Sequence, residues 1–158
     1  MERIILLLVG ITSYLFSHGK NITFINHPDS TYNITTTVEY YCDSTNAVNI
    51  EDLLKNSSSH EFTENGKDIF HHGNTPNTYW VKFDVVNHLH HEVLVYLSAE
   101  WLNLVEFYEI RSNEIIRYRE MGAALNRNDR ALAISKPAVL IPFTDGLTHT
   151  IYLKFKTD

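Results

Sequence analysis

The sequence predicts an all-β domain, an antiparallel sandwich or barrel with one short helix near its N-terminal side. Three observations carry this. Between Tyr79 and Thr157 at least six runs have strand character, either alternating or rich in β-branched and aromatic residues. Most of the connections between them are short and polar, as hairpin turns are. No stretch of this region keeps apolar residues at the 3.6-residue period of a long helix. With 158 residues, 44% of them apolar, the chain has material for one domain with an ordinary core.

The first residues read as a leader. Arg3 precedes an apolar run from Ile4 to Phe16, which is shorter than the about 20 residues that span a membrane. Small residues follow at Ser17 and Gly19. A secretory signal peptide over residues 1–19 is therefore expected, with the alternative of an uncleaved anchor. Residues 20–35 are polar and turn-rich and read as an N-terminal tail. The folded domain is expected over 36–158.

Within the domain, TTTVEYY (35–41) has strand composition. NIEDLLKN (49–56) reads as a short helix capped by Asn49, with Glu51 and Asp52 in its first turn and Leu53 and Leu54 facing inward. Residues 57–77 read as a long surface excursion, with Phe62 and Phe70 as isolated anchors. Strands then follow one another. In NTYWVKFDVVNH (77–88), Tyr79, Val81, Phe83 and Val85 share one parity, and Trp80, Lys82, Asp84 and Val86 the other. EVLVYLSA (92–99) is apolar on both parities, the pattern of a central strand covered on both sides. LNLVEFYEI (102–110), the turn RSN, and EIIRYRE (114–120) form a hairpin. PAVLIPF (137–143) leads through TDGL to THTIYLKFKT (148–157), where Ile151, Leu153 and Phe155 oppose Lys154 and Lys156.

Composition narrows the function. The net charge is −6 and no basic stripe is present, so a nucleic-acid partner is not expected. Cys42 is the sole cysteine, which rules out an intrachain disulfide. It lies too far from the apolar leader for lipid attachment, and a buried structural thiol is expected. His71 and His72, and His88, His90 and His91, are clusters with a metal-like look. No third ligand is placed by spacing, so no metal and no cofactor is expected. The triplets at Asn21, Asn33 and Asn56 match glycosylation acceptors, a pattern common by chance in such sequence.

Catalysis is not expected either. Glu100 beside Trp101, and the pair Glu106 and Glu109, could suggest sugar hydrolysis. Outward carboxylates are ordinary on strands, however, and no nucleophile elbow, HExxH or phosphate-binding glycine loop is present. Binding fits better. Glu106 and Tyr108 share a strand face, Tyr118 and Arg117 come from the next strand, and Arg127 and Arg130 from the following loop. The candidate ligand-binding residues are therefore Glu106, Tyr108, Tyr118, Arg127 and Arg130, a set able to grip a sugar or an anion. The competing reading makes the aromatics core and lays the arginines over it.

The order of segments resembles the second type of extracellular domain in the 7TMR-DISM receptors, bacterial seven-transmembrane receptors with diverse intracellular signalling modules. The resemblance rests on Tyr79 and Trp80, Asn87, Tyr96 and Leu97, Leu102, Val105 and Tyr108. It continues through Gly122, Arg130, Pro137 to Phe143, and Ile151 to Leu153, and includes VNIEDLL before Phe62. It implies a β-sandwich of jelly-roll type, similar to carbohydrate-binding modules. It also implies an extracytoplasmic, periplasmic sensory domain, tethered to the membrane in a full receptor. Its partners would be a small-molecule ligand, with carbohydrate favoured by fold analogy, and the receptor's own transmembrane and intracellular modules. The chain stops at KFKTD, directly after the last strand, so truncation before a transmembrane region is expected. The alternatives are a secreted carbohydrate-binding module without a signalling role, and a divergent hydrolase using Glu100 or Glu106.

Overall fold

In a computed structural model of the chain, the described residues are 21–28, 32–55, 59–73, 75–89, 91–96, 102, 104–122, 124–125, 138–141 and 144–156. The expected signal peptide, His90, Glu100, Arg127 and Arg130 lie outside them. The strands are β1 (Ile22–Ile25), β2 (Glu39–Asp43), β3 (Thr63–Glu64), β4 (Thr78–Asn87), β5 (Val93–Tyr96), β6 (Val105–Arg111), β7 (Glu114–Met121), β8 (Ala138–Ile141) and β9 (Thr148–Lys156). Helix α1 (Ile50–Lys55) lies between β2 and β3. No helix among the described residues is long and apolar enough to cross a membrane.

The larger sheet runs β3–β2–β4–β9–β6–β7, with neighbours antiparallel. A second, two-stranded sheet pairs β5 with β8. Strand β4 is long enough to hold two partners along one edge. Its first half, Thr78–Lys82, pairs with β2, and its second half, Asp84–Asn87, pairs in parallel with β1. The segment expected as a polar tail thus contributes a strand. On the other edge of β4, β9 pairs over nine positions from Thr78 to Val86.

The alternation of the strands sorts the larger sheet into two faces. On one lie Tyr79, Val81, Phe83 and Val85 of β4, Ile151, Leu153 and Phe155 of β9, and Val105 and Phe107 of β6, joined by Val38, Leu102 and Met121. Val93 of β5 packs onto this cluster, so the small sheet closes the core and the architecture is an antiparallel β-sandwich. Burying each of these large side chains contributes about 1.5–3 kcal/mol. On the other face, Trp80, Tyr108, Ile110 and Tyr152 pack against Ile50 and Leu53 of α1. One sheet therefore has apolar material on both faces, and α1 is what permits it.

The helix forms where its caps allow. The Asn49 side chain accepts from the amide of Asp52 at 2.9 Å, and Asp52 accepts from the amide of Asn49 at 3.1 Å, a reciprocal capping box. Leu53 is buried as expected, but Leu54 is only half-buried and Ile50 is the second inward residue. The spacing of 50 and 53 places both on one helical stripe, whereas adjacent leucines diverge by about 100°. The turn before the helix is organised by Asp43. Its carboxylate accepts from the Thr45 hydroxyl and from the amides of Thr45, Asn46 and Val48 at 2.6–3.1 Å.

Burial alone would push the Asp43 carboxyl up, but those hydrogen bonds together hold it below its ordinary 3.8. Its contribution is present above that value and lost as the pH falls through the lowered one. Asp43→Ala is expected to lower stability by about 1–3 kcal/mol at neutral pH. Urea unfolding at pH 7 and at pH 3 checks this. A difference between the two proteins that does not shrink in acid would assign Asp43 no such role.

Three further expectations change. Cys42 is exposed, not a buried thiol. It sits opposite Tyr79 near the end of β2, where the polar amide of Asn77 approaches the sulfur at 3.3 Å instead of apolar side chains. Strand β5 is not central; among the described residues β8 is its one neighbour, and the central places belong to β4 and β9. Apolar content on both parities does not report the number of hydrogen-bonded neighbours. Finally, the excursion over 57–77 contains the short strand β3. Its two anchors serve opposite faces: Phe70 packs on the main core, and Phe62 on the helix-side cluster.

The hairpin joining β6 and β7 uses Ser112 and Asn113, both at positive φ (50° and 65°), the backbone of a tight two-residue turn. Strand β7 is the last in the sheet. Glu114, Arg119 and Glu120 along it are exposed, and charges of both signs on an outer strand oppose addition of a foreign strand.

Candidate functional site

Two rows of side chains cross the helix-side face, each drawing one residue from five adjacent strands. Cross-strand pairing sets the first as Tyr41, Trp80, Lys154, Glu106 and Glu120. The second is Glu39, Lys82, Tyr152, Tyr108 and Tyr118. Helix α1 covers the apolar middle of this face, through Trp80, Tyr108 and Tyr152. The β6–β7 end stays open, where Tyr118 is 41% exposed and Glu120 is exposed.

Three of the five expected binding residues meet here. Glu106, Tyr108 and Tyr118 are neighbours: the Tyr108 and Tyr118 rings are 5.0 Å apart, and the Tyr108 hydroxyl donates to Glu106 Oε2. Lys154 Nζ is 3.2 Å from Glu106 Oε1 and lies 5.3 Å over the Trp80 ring. The Tyr118 hydroxyl donates to Glu120 Oε1 at 2.7 Å. Arg117, grouped with Tyr118 by sequence proximity, points to the opposite face, where it meets Glu109. Arg127 and Arg130 lie outside the described residues.

The tyrosines remain hydroxyl donors across the physiological range. Burial first, then the hydrogen bond to Glu106 and its charge, pushes the Tyr108 phenol up. Burial, the hydrogen bond to Glu120, and the charges of Glu106 and Glu120 do the same to Tyr118. Tyr152 is pushed up to about 12, by burial first and then by Asp84 and Glu39.

Beside the first row, at the Thr78 end of β4, opens a cleft of about 240 Å³. Asn46, Thr78, Leu104, Glu106, Lys154 and Lys156 are among the residues that line it. Glu106 therefore belongs both to the tyrosine group and to the cleft wall. Neither lysine nor Glu120 stood among the candidates. Glu120 follows Tyr118 by two residues and so shares its face, a signal present in the sequence. The placement of Lys154 beside Glu106 depends on the pairing of strands 48 positions apart, which alternation cannot supply.

Chemically, this region offers carboxylate acceptors, ammonium and phenol donors, and one accessible aromatic ring. Glu106 and Glu109 cannot act on one bond, because Glu109 faces the core side of the sheet, beside His149. Of the histidine clusters, His88 hydrogen-bonds the Asn26 side chain at 2.7 Å through Nδ1. No group of three or more metal-ligating side chains is assembled among the described residues.

The family model described as 7TMR-DISM extracellular 2 matches residues 35–158. No curated protein matches the chain.

Proposed function

The chain belongs to the 7TMR-DISM extracellular 2 family, and from that premise we propose that it is the extracytoplasmic sensory domain of a bacterial membrane signalling receptor, binding a small ligand. The ligand is taken at the open β6–β7 end of the helix-side face, and polyhydroxylated molecules, carbohydrates above all, suit it best. The observation that carries the reading is the convergence of Glu106, Tyr118, Glu120 and Lys154 beside the cleft. A sugar presents hydroxyl donors to carboxylates and acceptors to lysine, and its apolar ring face suits an exposed tyrosine. The likeness of such sandwiches to carbohydrate-binding modules supports the same choice by fold analogy.

The domain positions its ligand without transforming it. Signalling follows only where the ligand binds two receptor states with different affinity, which in a tethered domain means a different fit of this face in each state. The partners are then the ligand and the transmembrane and signalling modules of the same receptor.

A glycan array followed by calorimetric titration tests the site. A sugar that binds the unaltered domain is expected to bind Glu106→Gln and Tyr118→Ala at least about tenfold more weakly, since losing a hydrogen bond to a charged group is worth about 1.5–3 kcal/mol. Undiminished binding by both variants would move the site elsewhere. An array with no binder at all would remove carbohydrate as the ligand class.

A further inference from the structure

His72 lies in the crossover between β3 and β4, and its surroundings are aromatic. The segment leaves β3 at Asn65, whose side chain donates to the carbonyls of Thr35 and Lys67 at 2.9 and 2.8 Å. It then lays Phe70 and His72 onto the core side of the larger sheet. The His72 ring centroid is 4.4 Å from Tyr40 of β2 and 4.7 Å from Phe70. It stacks on Tyr79 of β4 at 5.4 Å with an interplanar angle of 27°. Phe70 in turn meets Tyr40, Tyr79 and Phe155 edge-on at 5.5–6.0 Å. The two side chains together pin the crossover to β2, β4 and β9.

The His72 Nε2 atom is buried and has no hydrogen-bond partner among the described residues. A neutral imidazole tolerates this at the price of one unmet group, whereas an imidazolium would bury an uncompensated N–H and its charge among rings. No countercharge is at hand among the described residues. The facing groups are phenols, Tyr40 from β2 and Tyr79 from β4, with Phe155 from β9. The Cys42 thiol lies opposite Tyr79 in the sheet. From its own segment, the charges that act on His72 are Lys67 and His71, both basic, and Asp68 is exposed.

We propose that His72 is an acid-operated latch: neutral, it holds the Asn65–Asn77 crossover against the sheet, and protonation releases that segment while the sheet itself stays folded. Burial, then Lys67 and His71, set its proton affinity below the ordinary histidine value of 6.5. The sign follows. The unfolded or released form binds the proton more tightly, so the latch is fully closed above about 6.5 and opens as the pH falls through the lowered value. An extracytoplasmic domain meets such acidity directly, and the crossover bears on β2 and β4, whose other face carries Tyr41, Trp80 and Lys82.

Hydrogen exchange on the full chain at pH 7.5 and pH 5, corrected for intrinsic exchange, tests the latch. Protection in residues 65–77 is expected to fall at least about tenfold in acid, with β4 and β9 unchanged, and to become independent of pH in His72→Phe. His71→Gln should keep the acid response. A protection of this segment that does not change with pH in the unaltered protein would overturn the proposal, as would an acid response that survives in His72→Phe. If His72→Phe does not fold, an NMR titration of the His72 ring in the unaltered protein decides: a midpoint below 6.5 supports the latch, and one at or above it overturns it.

Discussion

Replacing Glu109 with alanine is expected to lower the unfolding free energy by about 3–5 kcal/mol. Glu109 is 3% exposed and faces the core side of β6. Its Oε1 is 2.8 Å from Nδ1 of His149, which is itself 1% exposed, and its Oε2 is 3.4 Å from Nε of Arg117. His149 Nε2 reaches Asp145 at 3.1 Å, and Arg111 reaches the same carboxylate at 3.2 Å. Three strands and the turn before β9 are thereby tied through the buried pair of Glu109 and His149. Alanine would leave the buried imidazole facing a cavity without its acceptor and remove the carboxylate paired with the Arg117 guanidinium. Glu109→Gln keeps the shape and one acceptor, so its loss should be clearly smaller. Urea unfolding of both variants checks this, and a loss under about 1 kcal/mol for the alanine variant would sink the assignment.

Trp80→Ala should cost about 3–5 kcal/mol by emptying the helix-side cluster. Trp80 is 0% exposed, packed with Ile50, Leu53, Tyr108 and Tyr152. Its indole Nε1 has no hydrogen-bond partner among the described residues, so Trp80→Phe forfeits volume but no hydrogen bond described there and should lose well under half as much. Calorimetric melting separates the two. A ring with no accessible surface cannot stack on a ligand, so Trp80→Phe should also bind any sugar as the unaltered domain does. Weakened binding by a fully folded Trp80→Phe would show that the indole acts on the site, by exposure or through the Lys154 ammonium over its ring.

Much of this was legible in local pattern. The period-two alternation of 78–87 and 148–156 gave the core face of β4 and β9 residue by residue, and Asn49 announced α1. The parity of Glu106 and Tyr108 placed both on one face, because alternation along a strand is a local property of the backbone, whereas Tyr118 joins them through the register of β6 with β7. What was not legible depends on partners far along the chain. The run ITFI at 22–25 is too short to stand out in polar sequence, and it becomes a strand only because β4 outlasts β2. The Glu109–His149 contact joins positions 40 apart. Cys42 has the parity of a core residue, yet it is exposed, with the Asn77 amide beside its sulfur. His72 sits in a polar stretch whose composition says surface, and its half-burial comes with rings on β2 and β4.

The position of β9 has a consequence for how the domain is made. It is the last strand along the chain among the described residues, yet it stands between β4 and β6, ladder-bonded to both. During synthesis the ribosome releases β4 and the β6–β7 hairpin first, with no direct pairing between them. The hairpin can form early because its partners are local, but β4 must wait with one long edge open until Lys156 has emerged. Closure is then a late, long-range event that completes two ladders at once. Nascent chains halted before Thr148 should therefore be protease-sensitive throughout β4, and the domain should acquire resistance in a single step once β9 is free.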